Sequence, residues 1–181
     1  MKHISIILLA WLSIINQTGQ GLYACKNVQV SLYSSAPIED IAAKTSSGSS
    51  VYNSATGDLM FSVPINTFKF PKSLMQEHFN SDYLESDKYP RATFKGQVKE
   101  HPDLTKDGSY PITVTGELDV HNVKQTRTIP GNLTVKGGVV TLTSEFMVKC
   151  VDHNITIPRL VFHNIAESIK MNVSATYAAA K

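Results

Sequence analysis

Apolar and polar residues alternate along most of the chain, which is the pattern of strands that turn one face toward a core. The clearest run places Leu59, Phe61, Val63 and Ile65 on one parity. Strands are predicted on this basis at residues 23–34, 59–65, 92–98, 112–120, 126–135, 139–150 and 169–177. A weaker strand at residues 50–52 brings the count to seven or eight.

A few segments depart from the alternation. Leu74, Met75, His78 and Phe79 fall on one side of about two helical turns, and Pro90 then ends any helix and favours an extended chain. A short helix next to the strand that follows it predicts a lid over a hollow space. Residues 36–44 are expected to form one or two helical turns or an irregular connection, and residues 45–55 a loop. A break in the strand is expected at residues 130–131. Residues 152–165 are expected to form a crossing loop, with a helical turn at residues 164–168.

Short turns join most of the strands. Asp107-Gly108, His121-Asn122-Val123-Lys124 and Gly137-Gly138 each stand between two alternating runs, as hairpin turns do. Strands connected in this way form either a closed up-and-down barrel or a sandwich, and the pattern does not separate the two.

The stretch YLESDKYPRATFKG, residues 83–96, resembles the signature segment of the YceI-like family of secreted or periplasmic, lipocalin-shaped barrels. The segment that begins at Gly116, GELDVHNVKQTRTIPGNLTV, is similar to the family's G-x-L-x-x-x-G-x-x-K pattern, although Asn122 stands where the family commonly has glycine. Residues 146–173 resemble its closing strands. The resemblance implies an all-β fold: an antiparallel up-and-down barrel of about eight strands with one or two short helices.

The resemblance also implies a function, because the family is associated with polyisoprenoid binding. It favours a non-enzymatic binding protein for a long amphipathic isoprenoid lipid, of the quinone or polyprenyl type, held in an apolar interior. The candidate ligand-binding residues are Phe61, Val63, Phe79, Tyr83, Leu84, Phe94, Val114, Gly116, Leu118, Phe146, Met171 and Val173. From the residues alone the large inward side chains could instead fill the barrel, which leaves the alternative of an extracytoplasmic stress or interaction protein without a small-molecule ligand.

Composition bounds the remaining possibilities. The 181 residues fit one domain, and the net charge of +2 comes from basic and acidic residues mixed along the chain, which argues against nucleic acid as a partner. Residues 1–22 read as a signal peptide, because Lys2 and His3 precede a short apolar run. We therefore expect a barrel domain at residues 23–181, located in the periplasm or secreted, with no transmembrane segment in the mature protein.

Cys25 and Cys150 invite a disulfide in an oxidising compartment. Strand parity argues against it, because Cys150 falls on the apolar face whereas Cys25 is out of phase with Val28, unless a bulge resets the register. In an alternative reading, Cys25 is the lipid-modified first residue of a lipoprotein.

Catalysis and metal binding find little support. The histidines lie in no metal-binding spacing, and no nucleophile elbow is present. Glu77, Asp82, Glu85 and Asp87 cluster around the signature, so a hydrolase remains an alternative, although pairing with nearby basic residues explains them equally well. We expect no catalytic residue, no metal and no cofactor other than the bound lipid, and a homodimer is left open.

Overall fold

A computed structural model describes residues 21–35, 40–157 and 168–179. Within these ranges eight antiparallel strands form a closed barrel in which every strand pairs with the next and the last pairs with the first. The strands are β1 (Leu22–Ser34), β2 (Ile41–Asn53), β3 (Asp58–Pro64), β4 (Arg91–Val98), β5 (Gly108–Val120), β6 (Val123–Lys136), β7 (Val139–Lys149) and β8 (Ser168–Ala179). The predicted fold class is confirmed. Because the barrel is closed, each strand has a paired neighbour on both sides along at least part of its length.

Two hairpin turns have the expected chemistry. His121 and Asn122 both have positive φ, as do Gly137 and Gly138, and this conformation matches the twist of strands joined by two-residue loops. The β4–β5 connection is longer than a tight turn, because nine residues separate Val98 from Gly108.

The expectation for β2 was right for the weak strand at residues 50–52 and wrong for the rest of the strand. Residues 41–53 form one strand rather than a helical turn followed by a loop, while residues 36–39 lie outside the described part of the chain. The buried positions of β2 include Ala43, Thr45, Ser50 and Tyr52, so the inward face is carried largely by small or polar residues. A search for alternating apolar residues misses such a strand.

A bulge in β1 explains the phase of Cys25. The register with β2 shifts between Cys25 and Val28 and again before Val30, so all three side chains are buried on one face. Parity alone placed Cys25 on the opposite face, and that inference was wrong. Cys25 and Cys150 are both free thiols.

Two seams of the barrel are paired at one end and open at the other. The β2–β3 ladder covers only Ser49–Tyr52 with Leu59–Ser62, and the β6–β7 ladder covers only Asn132–Lys136 with Val139–Thr143. We call the end where these ladders form the floor end and the opposite end the mouth end. Opening two seams widens the barrel toward the mouth end.

Irregular segments fill the open seams. After β3 the chain forms a 3₁₀ turn (Ile65–Thr67) and then pairs Lys69 with Lys44 of β2. After β7 a second 3₁₀ turn (Cys150–His153), which we call the wall turn, lies against β6. The expected break at Pro130 does not occur, because β6 pairs with β5 throughout. Pro130 lies instead at the point where β6 and β7 separate.

The predicted lid is present at the mouth end. An α-helix, α1 (Ser73–His78), runs into a π-helical turn (Phe79–Tyr83), and we call residues 73–84 the lid. π-Helical turns of this kind are frequent at functional sites. The expected signal peptide lies almost wholly within residues 1–20, and the expected helical turn near residues 164–168 mostly within residues 158–167; both of those stretches are outside the described residues.

Candidate functional site

The mouth half of the barrel encloses a cavity of about 410 Å³. This volume lies within the range of about 300–1,000 Å³ that is usual for small-molecule sites. Aliphatic and aromatic side chains from all eight strands and the lid form nearly the whole lining. The floor half is filled instead: Val28, Tyr52, Val98, Leu133 and Val140 are each 2% exposed or less.

Eleven of the twelve candidate residues line this cavity. They are Phe61, Val63, Phe79, Tyr83, Leu84, Phe94, Val114, Leu118, Phe146, Met171 and Val173. Strands β3, β4, β5, β7 and β8 contribute the inward ones, and the lid contributes Phe79, Tyr83 and Leu84.

Gly116 is absent from the described lining. A Cβ built on Gly116 would lie 2.3 Å from the Lys95 carbonyl oxygen and 2.4 Å from the Gly96 Cα atom, and both atoms belong to the neighbouring strand. Glycine is therefore required here by the close approach of β4 and β5, rather than by a need to leave space for a ligand.

The sequence interpretation missed other lining residues. Their side chains come from β1, β2, β6, the turn before the lid and the chain after the wall turn: Val30, Leu32, Ile41, Ile65, Phe68, Phe70, Ile129, Ile155 and Ile157. Alternation in β1 and β6 could have identified Val30, Leu32 and Ile129. Ile155 and Ile157 carried no such signal, because they lie in an irregular segment.

An aromatic cluster fastens the lid over the cavity. The Phe79 ring lies 4.9 Å from the Phe70 ring and 5.6 Å from the Phe68 ring, measured between centroids. Tilted aromatic pairs at such distances stabilise beyond simple burial. The lid is thus bound to the barrel through apolar contacts that also border the cavity.

Few polar groups border the cavity, and they lie toward the mouth. His78 Nδ1 is 2.6 Å from the Asp82 carboxylate, and this hydrogen bond is the main reason that the pKa of Asp82 is lowered. Burial raises the pKa of the Tyr83 hydroxyl, with the charge of Asp82 adding to it, and burial also raises the pKa of the Cys150 thiol. The lining residues His78, Tyr83 and Cys150 are the candidate contacts for a polar head group.

The wall turn replaces β7 as the partner of the first half of β6. Arg127 and Gln125 of β6 bind Asp152, with the guanidinium 2.5 Å from the carboxylate and the amide 2.9 Å from the backbone carbonyl. The His153 ring is fully buried, and its Nδ1 lies 3.0 Å from the Val123 carbonyl oxygen. These bonds hold the wall turn in the gap beside the cavity.

The acidic cluster near the signature does not form a carboxylate pair in which one acid perturbs another. Asp82 is bound by His78, and Glu85 is bound by His121 and Lys88, so separate basic partners account for both.

No group of three or more metal-ligating side chains comes together in the described ranges. Among the helices that the structure describes, none is both long and apolar enough to cross a membrane.

An eight-stranded closed barrel with an apolar cavity under a lid defines a lipocalin-like fold. The family model of the YceI-like domain matches residues 27–177, and the chain belongs to this family. No curated protein matches the chain.

Several solved structures share the fold. A polyisoprenoid binding domain from Saccharophagus degradans, implicated in plant cell wall breakdown, is similar with a TM-score of 0.74 at 14% identity, over 88% of this chain and 99% of that one. Burkholderia cenocepacia BcnA gives a TM-score of 0.70 at 16% identity, over 83% and 96%. The Campylobacter jejuni YceI protein gives 0.57 at 15% identity, over 100% and 90%. At these identities the likeness concerns the fold.

Proposed function

We propose that the protein is a non-enzymatic binding protein for a long amphipathic isoprenoid lipid, of the quinone or polyprenyl type, acting in the periplasm or after secretion. The observation that carries the proposal is the almost wholly apolar cavity in the mouth half of the barrel. A fold relative described as a polyisoprenoid binding domain supports the same class of ligand.

The shape of the cavity suggests how such a ligand lies. The tail points toward the floor, where Tyr52 and Tyr177 fill the barrel and Ser50 and Tyr177 share a 2.8 Å hydrogen bond between their hydroxyls. The polar head lies near the lid, beside the His78, Tyr83 and Cys150 side chains. An apolar tail needs no polar partner along its length.

Simple energetics favour a chain of several units. An isoprene unit is close in size to a leucine side chain, whose full burial contributes about 1.5–3 kcal/mol. Association itself costs at least about 4 kcal/mol in lost freedom of motion. One or two buried units therefore do not bind tightly, and a longer tail that fills the cavity does.

A matched pair of substitutions on β3 tests the proposal. Val63 lines the cavity, whereas Met60 on the opposite parity of the same strand is 47% exposed on the outside. Val63→Trp places an indole ring inside the cavity, and Met60→Trp adds the same ring outside it. Binding is measured by displacement of the fluorescent probe cis-parinaric acid with farnesol and longer polyprenols.

We expect the protein to bind polyprenols, Met60→Trp to bind equally well, and Val63→Trp to lose at least about tenfold in affinity, or about 1.4 kcal/mol. Circular dichroism and thermal unfolding establish that both variants fold. Equal binding by both folded variants, or no binding by the unaltered protein, would contradict the proposal that the cavity binds the lipid.

A further inference from the structure

The side chain of His121 connects two chain segments that border the mouth. Its Nε2 lies 2.8 Å from a Glu85 carboxylate oxygen, directly after the lid, and its Nδ1 lies 3.2 Å from the backbone carbonyl oxygen of His153 in the wall turn. The His121 side chain is only 12% exposed. One imidazole thus joins the residue directly after the lid to the wall turn.

Both of these partners accept hydrogen bonds and neither donates. A neutral imidazole carries hydrogen on one nitrogen only, so it can satisfy one partner and leaves the other facing a lone pair. An imidazolium carries hydrogen on both nitrogens and satisfies both. The observed bridge is therefore complete only when His121 is protonated.

The charged groups around His121 leave Glu85 as its carboxylate partner, although the Lys88 cation shares that carboxylate. The Tyr89 ring meets the imidazole edge to face, with centroids 4.5 Å apart, and Lys88 Nζ lies 3.7 Å from the second Glu85 oxygen and 4.8 Å from the centre of the Tyr89 ring. From the wall turn and β6, Asp152 is bound by Arg127, and the imidazole of His153 is occupied with the Val123 carbonyl through its Nδ1. Glu85 is therefore the carboxylate placed to accept from His121.

The backbone around the bridge is held in an unusual conformation. Glu85 has a φ angle of 42°, in the left-handed region that side chains other than glycine rarely adopt, whereas the φ of 55° at His121 belongs to the hairpin turn between β5 and β6. Such conformations persist where the surrounding structure enforces them, and they cluster at switch regions.

We propose that His121 is a protonation-controlled latch on the mouth of the cavity. The latch rests on the proposed function, since it regulates access to the same lipid site. When His121 is protonated, it holds the end of the lid to the wall turn and the mouth stays closed. Loss of the proton removes one donor, one acceptor is left without a partner, and the lid separates from the wall more often.

The sign of the pH dependence follows from the two partners. The hydrogen bond from His121 is the main reason that the pKa of Glu85 is lowered, so this carboxylate stays ionised until the solution is more acidic than a free glutamate requires. Histidine side chains ordinarily change charge between about pH 5 and 8. The latch is therefore closed at the acidic end of that range and released as the pH rises.

Hydrogen exchange in the ligand-free protein tests the latch directly. The Leu84 amide bonds to the Phe79 carbonyl and the Ser86 amide to the Asn80 carbonyl. Both hydrogen bonds close the turn that carries Glu85, so both amides report on loosening of this turn when the Glu85–His121 contact is lost. After correction for intrinsic exchange, we expect both amides to exchange about three- to tenfold faster at about pH 8 than at about pH 5.

Variants assign this effect to His121. His121→Asn removes the charge, and asparagine tolerates the positive φ at this position. We expect it to exchange rapidly and equally at both pH values, and Glu85→Gln to lose most of the pH dependence as well. His101→Asn, an exposed histidine in the β4–β5 connection, is the matched control and should keep the unaltered profile. Exchange in the unaltered protein that does not depend on pH, or pH dependence that survives in His121→Asn, overturns the latch.

A second measurement separates the latch from the lipid site. We expect cis-parinaric acid to dissociate faster as the pH rises from about 5 to 8 in the unaltered protein, and by a larger factor than in His121→Asn, which shares any effect of the probe's own carboxyl group. Binding with a release rate that does not depend on pH contradicts the latch and leaves the proposed function standing. If the probe does not bind at all, the proposed function fails, and the exchange of the Leu84 and Ser86 amides still decides the latch.

Discussion

The floor and mouth halves of the barrel use the same eight strands but differ in how they fill the interior. At the floor, inward residues such as Leu133 and Tyr52 are completely buried against one another. At the mouth, inward residues such as Val63 and Met171 face a cavity. Strand parity determines only which way a side chain points. Whether the space is filled depends on the circumference, which grows where the β2–β3 and β6–β7 seams open.

The largest expected difference between the halves is in stability. Leu133→Ala removes a side chain with no exposed surface, so we expect the free energy of unfolding to fall by about 2–5 kcal/mol. Met171→Ala enlarges a space that already exists, and we expect a loss of about 1 kcal/mol. Urea unfolding of both variants measures the contrast. Equal losses would show that the two halves are packed alike.

A smaller loss of stability is expected at the seam between β4 and β5, which is one of those that stay closed. Gly116→Ala places a methyl group against the backbone of β4, and relief of such overpacking typically costs about 1–3 kcal/mol. Gly131→Ala is the control. A Cβ atom at Gly131 would lie 3.1 Å from its nearest neighbour, the Thr143 carbonyl oxygen, so the added methyl group has more room there. We expect thermal unfolding to show the larger loss in Gly116→Ala, and a reversed order would contradict the close approach of β4 and β5.

The smallest effect concerns the two cysteines, one in each half. Burial raises the pKa of Cys150 above the ordinary thiol value, so the reactive thiolate is scarce at neutral pH and alkylation should accelerate as the pH rises. Because Cys150 lines the cavity, bound polyprenol should slow its alkylation by iodoacetamide severalfold. Cys25, buried near the floor and outside the cavity lining, should react at a rate that polyprenol does not change. Mass spectrometry of the two cysteine-containing peptides measures both rates, and protection of Cys25 alone would place the ligand elsewhere.

Alternation predicted most of the strands, because β3, β5 and β7 carry large apolar residues on one parity. It failed where the inward residues are small or polar, as with Thr45 and Ser50 in β2, and where a bulge shifts the phase, as before Val28. The closed barrel came from the resemblance of residues 83–96 to a family signature, since parity describes a barrel and a sandwich equally well.

The site was predictable only in part, for a related reason. Inward parity located Phe94 and Phe146, and the helical spacing located Phe79. Parity could not show that Gly116 is needed for close strand packing, because that depends on the distance between two backbones. Nor could it place Glu85 beside His121, because the two residues lie 36 positions apart in the sequence and meet only in the folded barrel.

Native mass spectrometry of the protein purified from its host, followed by organic extraction, tests the central claim most directly. We expect a fraction of the protein to carry one added mass and to release an isoprenoid lipid on extraction, and we expect that fraction to fall in Val63→Trp, whose indole ring obstructs the cavity. Protein that carries no lipid, and that takes up no polyprenol after extraction, would contradict the claim that the mouth half of the barrel is a lipid-binding site.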